Sequence, residues 1–402
     1  MLKIGIECES IEGRESWGVG RIVKKLLEEI ARRPELEKEF KFFLYFKSQI
    51  PDYPWLASSI FVKKIILKHS NILRNVRMNS FSLYYYLLLP IKLWFEKLDI
   101  MFFPNYMLSP LFSGKSLVML TEDIYYEINS GTLPWRYKLA YKIFAGWAAN
   151  HATQIMTISE TSKKEVVKLF KIKQNRIVVN TLGIDPPKII TRNQQPETSN
   201  YILYVGQAFP RRHLRETMLA FELLALQATS YQLPATSYQF IAVGKDKYNP
   251  PVVKKLAEEI NNRLGRDAII YKEYVSEDEL AQLYAHAKLL VYVSSKEAFG
   301  LPPLEALSCG IPAVVSDSEI GHEIFGDNAF FACPVRGRSP EATASSNGVG
   351  NQYSPETIAD AMKNGLVNEQ KREKIKKSAG RILEKYTWER FTDRFLNFVK
   401  TK

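Results

Sequence analysis

Glu297 and Glu305 stand with seven residues between them in the segment KEAFGLPPLEALSCGIPAVVSD, Lys296 to Asp317. The segment reads as a strand, a short loop and then a helix starting at Pro302 or Pro303, where proline suits the first turn. A helix start exposes free backbone N–H groups at the positive end of the macrodipole, so Phe299, Gly300 and Leu301 can present amides to a phosphate. Gly300 lets a ligand come close to the backbone. Carboxylates repel phosphate, so Glu297 and Glu305 are expected to reach hydroxyl groups on either side of a diphosphate. Two solvated glutamates on an ordinary strand, turn and helix are the alternative for this segment taken alone.

Three further segments carry residues of matching chemistry. In VGQAFPRRHL, Val205 to Leu214, Gly206 ends a strand and Arg211 and Arg212 open the next helix. A guanidinium fork suits bidentate phosphate contacts and neutralises charge growing on a leaving group. In WGVGRIVKKLL, Trp17 to Leu27, Gly18 and Gly20 permit a tight turn and close approach to a ligand before the first helix. In MLTEDIYYE, Met119 to Glu127, Glu122 and Asp123 follow a strand, at the end where catalytic groups of open α/β sheets gather.

Together these segments resemble glycosyltransferase family 4, whose signature has the form E-x-F-G-L-P-x-x-E-A-x-x-x-G-x-P. Glu297, Phe299, Gly300, Leu301, Pro302, Glu305, Ala306, Gly310 and Pro312 match it. The resemblance implies a GT-B fold: an α/β chain with two facing Rossmann-like domains, parallel sheets and a central cleft. It implies that Glu305 binds the nucleotide ribose, that Glu297 contacts the transferred sugar, and that the amides of Phe299, Gly300 and Leu301 hold the diphosphate. Gly206, Arg211 and Arg212 then serve the phosphates, with Gln207 where the family often has arginine. Gly18 and Gly20 lie against the donor from the other domain. Where the family commonly has His-Asp, this chain has Glu122 and Asp123, so the aspartate fits and the histidine is missing. Looser matches are Ser159, Glu160 and Lys163, the turn Asn180 to Asp185, and Glu323.

The elements needed to position these residues are present. Short apolar strands alternate with amphipathic helices, the pattern of parallel α/β sheets. The first half predicts strands at Leu2 to Ile6, Ile100 to Phe103, Leu117 to Leu120, Gln154 to Ile158 and Ile177 to Val179, with a helix from near Gly18. Pro186 to Asn200 is polar and proline-containing, a linker composition. A second series follows from YILYVG through FIAVG, AIIYKEYV, KLLVYVS and IPAVVS. The boundaries expected are 1–190 for an acceptor-binding domain, 200–385 for a nucleotide-sugar-binding domain, and 386–402 for a helix crossing back to the first. The tandem repeat in ATSYQLPATSYQ, 228–239, and the polar stretch 336–353 are expected to be exposed loops.

A chain of 402 residues is expected to split into two domains. Three separated cysteines and no Cys-x-x-Cys pair point to a reducing compartment and no structural zinc. No secretory leader is recognised, and the longest apolar stretch, Ser80 to Phe95, is too short to span a bilayer. The expected location is cytoplasmic, peripheral on the inner face of the cell membrane. A net charge of +12 calls for an anionic partner. Between Phe61 and Lys97, basic residues alternate with aromatics, which suits an anionic membrane surface holding a lipid-linked acceptor; a core helix with a solvated face fits the composition equally well. Acidic residues at the cleft centre argue against a nucleic-acid partner.

The function these features imply is retaining transfer of a hexose or deoxyhexose from a GDP-, UDP- or dTDP-sugar to a glycan or lipid-linked glycan. Glu297, Asp123, Glu122 and Arg212 are the catalytic candidates. No Asp-x-Asp site for a metal is recognised, so no cofactor is expected. The mechanism favoured is front-face substitution, in which the departing diphosphate accepts the acceptor's proton. A catalytically silent nucleotide-sugar-binding relative is the alternative.

Overall fold

A computed structural model describes residues 1–13, 18–66, 83–121, 135–187, 200–227, 238–335 and 353–401. The chain divides into two units, the first formed by 1–121, 135–183 and 386–401 of these, the second by 184–385. The linker segment 188–199, the repeat residues 228–237 and the polar stretch 336–352 lie outside the described residues, as do Glu122 and Asp123.

The first unit is a seven-stranded parallel sheet in the order β3-β2-β1-β4-β5-β6-β7. Its strands are β1 (Leu2–Glu7), β2 (Phe40–Phe46), β3 (Phe61–Ile65), β4 (Ile100–Phe103), β5 (Ser116–Met119), β6 (Gln154–Thr157) and β7 (Ile177–Val179). The central strands are buried on both faces, which is why they read as apolar runs without alternation. Helix α1 (Val19–Ala31) packs Ile22, Val23, Leu26, Leu27 and Ile30 inward. A π-helical turn, Tyr84–Leu88, leads into α2 (Leu89–Trp94). Two longer helices follow, α3 (Trp135–His151) and α4 (Glu160–Phe170). Ser159 caps α4 by accepting the Ser162 N–H, so the Ser159, Glu160 and Lys163 match is a helix start with a long 4.0 Å ion pair.

The reading of the first half lacked β2 and β3, and β3 changes the account of the basic segment. Lys63 donates to the Leu56 carbonyl at 2.9 Å and Lys64 pairs with Glu96. Both lysines sit on the edge strand, where lysine blocks pairing with another sheet, and they do not form a free basic surface. Tyr84 and Tyr85 are buried in the core, while Lys68, Arg74, Arg77 and Phe81 lie outside the described residues.

The C-terminal helix, Trp388–Lys400, belongs to the first unit because its apolar face is buried there. Phe395 meets Phe102 of β4 edge to face at 5.1 Å, and Asn180 donates to the Phe391 carbonyl at 3.0 Å. The turn Asn180 to Asp185 thus contributes to holding this helix.

The second unit is a six-stranded parallel sheet in the order β10-β9-β8-β11-β12-β13. It runs through β8 (Tyr201–Val205), α5 (Leu214–Leu226), β9 (Gln239–Val243), α6 (Val253–Leu264), β10 (Ile269–Lys272), α7 (Glu277–His286) and β11 (Leu289–Tyr292). Then come α8 (Leu301–Ser308), β12 (Ala313–Ser316), α9 (Glu319–Phe325), β13 (Phe330–Ala332), α10 (Pro355–Val367) and α11 (Glu369–Leu383). Strand order reverses between β8 and β11, and the crevice beyond their carboxyl ends is where open α/β sheets bind ligands. No helix among the described residues is long and apolar enough to cross a membrane.

Candidate active site

The loops after β8 and β11 meet at this reversal and are stitched together by backbone and side chain. Ser295 N–H donates to the Arg211 carbonyl at 2.8 Å, and Arg211 Nη1 donates in return to the Lys296 carbonyl and to Glu297 Oε1, each at 2.5 Å. Arg212 donates from Nε to the same Glu297 oxygen at 2.8 Å and from Nη1 to the Gln207 carbonyl at 3.2 Å. Tyr292 Oη adds a third donor to Oε1 at 3.2 Å. Oε1 is therefore saturated. Oε2 makes no hydrogen bond to any described residue.

These contacts fix the protonation of Glu297. Burial opposes its charge, but the Arg211 and Arg212 guanidinium groups and their hydrogen bonds outweigh that, and the carboxyl is held down to about 2. Glu297 is an anion at every physiological pH. In return its charge raises the Arg212 pKa well above the ordinary arginine value, against the effect of burial. The Arg212 guanidinium also lies 5.3 Å from the centre of the Tyr292 ring and 5.7 Å from that of Phe209, in cation–π contact. Its Nη2 has no hydrogen-bond partner among the described residues.

Arg211 departs from its expected place. Its side chain is only 4% exposed and serves Glu297 and the Lys296 carbonyl from beneath, so it positions the glutamate and does not face a ligand. Arg212, at 16%, keeps an open edge. Gly206 has φ +143°, and a Cβ there would press to 3.2 Å from Arg212 Nη1; glycine lets the arginine lie over the end of β8.

Phe299, Gly300 and Leu301 are where the sequence puts them, at the start of α8. Gly300 caps the helix with φ +97° and has open space before it, and Pro302 and Pro303 occupy the first turn. The amides at this end have no intrahelical partner. Glu305 lies one turn further on, buried, and accepts from Tyr284 Oη of α7 at 2.9 Å. Glu323 lies on α9. Gly18 and Gly20 belong to the first unit, Gly18 capping α1 with φ +55° and Gly20 buried within the first turn.

Three residues of the site, Tyr292, Tyr284 and Ser295, carried no signal in the sequence, and a fourth, His213, carried a faint one. His213 has a left-handed backbone, φ +44°, and its Nε2 lies 2.5 Å from Ser295 Oγ, tying the start of α5 to the loop that carries Glu297. Its sole trace is its place after Arg212, where a left-handed turn favours Gly, Asn or His.

The chain matches the family described as glycosyl transferases group 1 over residues 185–381, the stretch that holds this whole constellation. It is 33% identical to the O-antigen chain mannosyltransferase B of Escherichia coli over 193 residues, 46% of this chain and 48% of that protein. It is 25% identical to the O-antigen chain mannosyltransferase RfbU of Salmonella typhimurium over 236 residues, 56% of this chain and 62% of that protein. The matches thus span about half to three-fifths of these curated relatives. The crystal structure of WaaG, a glycosyltransferase involved in lipopolysaccharide biosynthesis, superposes with TM-score 0.66 at 17% identity, covering 98% of this chain and 99% of that one. Anabaena HepE in complex with UDP and glucose superposes with TM-score 0.64 at 13% identity, covering all of both chains. The fold is that of these GT-B glycosyltransferase structures.

Proposed function

We propose that the chain is a retaining glycosyltransferase that moves a hexose or deoxyhexose from a nucleotide-diphosphate sugar to a glycan or lipid-linked glycan in surface polysaccharide synthesis. The observation that carries this reading is Glu297: one oxygen locked by two arginines and a tyrosine, the other without a hydrogen bond from any described residue, four residues before a helix start. A fixed carboxylate beside an anion-binding helix end suits a sugar hydroxyl next to a diphosphate. The names of the relatives make mannose the first sugar to test.

In this reading the Phe299, Gly300 and Leu301 amides hold the diphosphate, and Arg212 Nη2 adds positive charge as the bond from the anomeric carbon to the phosphate oxygen breaks. The departing oxygen takes the acceptor hydroxyl's proton as that hydroxyl attacks on the same face. Glu305 accepts from the ribose. The protein supplies positioning and charge stabilisation, and no metal ion is required. Asp123 and Glu122 remain candidates for the acceptor side.

Incubation with a nucleotide-mannose and an oligosaccharide primer, with the anomeric configuration of the product read by NMR, tests the reading. Retention supports it. Inversion refutes the front-face step, and binding without turnover of any donor favours a catalytically silent relative.

A further inference from the structure

The strand order of the first sheet reverses between β1 and β4, as that of the second does between β8 and β11. In each sheet a glutamate sits where the reversal opens a crevice: Glu297 after β11, and Glu7 as the last residue of β1. Their surroundings differ. Glu297 faces two guanidinium groups. Glu7 is fully buried, and burial is the largest influence on its carboxyl; the neighbours that act on it, Glu9, Tyr85 and Tyr84, include no cation. The group is pushed up to about 8 and is mostly neutral at pH 7. A charged cluster beside a helix start suits a phosphate, whereas a neutral one without a cation suits an uncharged ligand rich in hydroxyl groups.

The hydrogen bonds lead from Glu7 to a half-buried amide. Glu7 Oε1 is occupied, accepting from the Glu9 N–H at 2.7 Å and from Tyr84 Oη at 3.3 Å. Oε2 is buried without a partner, so it is the oxygen left to carry the proton. Tyr85 is buried beside Tyr84, ring edge to face at 4.7 Å, with its hydroxyl near enough to act on the same carboxyl. Tyr85 Oη in turn accepts from Asn105 Nδ2 at 3.3 Å, two residues past the end of β4. Asn105 Oδ1 accepts the Met107 N–H at 2.9 Å, which fixes the sense of the amide, oxygen toward Met107 and nitrogen toward Tyr85. One N–H and one lone pair of the Asn105 amide stay without a partner among the described residues.

We propose that Asn105 binds a hydroxyl of an uncharged sugar in the crevice of the first unit, with Glu7 and Tyr85 as positioning residues that hold its amide. The amide offers a donor and an acceptor side by side, the pair that a sugar hydroxyl satisfies. A polar group held for that purpose rejects an analogue lacking the hydroxyl, because it is then left unpaired. A phosphate would meet no cation in the cluster of Glu7, Tyr84, Tyr85 and Asn105. That the sugar is the acceptor rests on the transfer reading. Its binding is measured without nucleotide, so failure here leaves the Glu297 site standing, and failure of that site leaves this measurement unaffected.

The full chain, free of nucleotide, is titrated with the methyl glycosides of mannose, glucose, galactose and N-acetylglucosamine, and binding is followed by saturation-transfer NMR. One of them is expected to bind, about tenfold more weakly in Asn105→Ala, which loses a hydrogen bond to the sugar. Tyr85→Phe and Glu7→Leu should weaken binding of the same sugar, while Glu7→Gln, whose amide N–H replaces the carboxyl O–H, should keep it at the native value. Tyr85→Phe loses a single oxygen and carries the test where Glu7→Leu does not fold. In the transfer assay Asn105→Ala should raise KM for the oligosaccharide primer about tenfold and leave KM for the donor unchanged, a split that a general loss of structure would not give. The proposal is overturned if no glycoside binds, if Asn105→Ala binds like the native chain, or if Glu7→Gln weakens binding as much as Glu7→Leu. It is also overturned if binding is lost in Glu297→Gln and kept in Asn105→Ala, for then the sugar occupies the second unit.

Discussion

Arg211 reaches Glu297 across 86 residues of sequence and donates to its Oε1 at 2.5 Å from a position sealed beneath the loop. Arg212 shares the same oxygen from a more open position. The two neighbouring arginines therefore divide the work, one holding the glutamate and the other left with an edge for a ligand.

Substitution should separate them. Arg211→Met leaves Glu297 buried with one cation fewer, and is expected to cost about 3 kcal/mol of stability along with activity. If Arg212 serves the leaving group as proposed, Arg212→Met should lower kcat by about a hundredfold with a smaller stability cost. Urea unfolding beside the transfer assay reads both; equal stability losses would contradict the division.

The sequence showed Arg211, Arg212, Glu297 and Glu305 because their spacing is local: Gly206 to Arg212 is one strand-to-helix loop, and Glu297 to Glu305 is another together with the start of α8. It could not show which arginine would be buried, because that depends on loops brought together by the order of β8 and β11 in the sheet. The fold divides the same way. Doubly buried strands such as β4 and β11 stand out as apolar runs. At β3 the lysines of an edge strand broke that pattern, and β2, FKFFLYF, also passed without being read as a strand. Glu122 and Asp123 were read from a motif position, and the described residues end at Thr121 before them.

His213 holds a left-handed backbone that asparagine tolerates and alanine does not. His213→Ala is expected to lose about 1 to 2 kcal/mol more than His213→Asn. Thermal melts of the two variants check this, and equal midpoints would place the cost in the lost Ser295 contact instead.

Glu7 ends β1 fully buried, with Oε1 accepting from the Glu9 N–H at 2.7 Å and from Tyr84 Oη at 3.3 Å. Burial, together with the Glu9 charge, pushes its carboxyl up to about 8, against hydrogen bonds that favour the anion. A carboxyl with a raised folded pKa is protonated in the native state and ionised in the unfolded one between about pH 4.5 and 8. Its contribution is thus full at acid pH and is lost as pH rises through that window, by at most about 1.4 kcal/mol per pH unit. Glu7→Gln should flatten the decline, and an unchanged stability profile from pH 5 to 9 would show that Glu7 is not its source.

The proposed nucleotide-sugar site is built on Glu297, the start of α8 and Glu305. The direct measurement is thermal stabilisation by UDP-, GDP-, dTDP- and ADP-sugars in the presence of a chelator, for the native chain and for Glu305→Ala. Stabilisation by one nucleotide family that disappears in the variant is the expected result. No stabilisation by any of them, or stabilisation that survives in Glu305→Ala, would contradict a nucleotide-sugar site at Glu305.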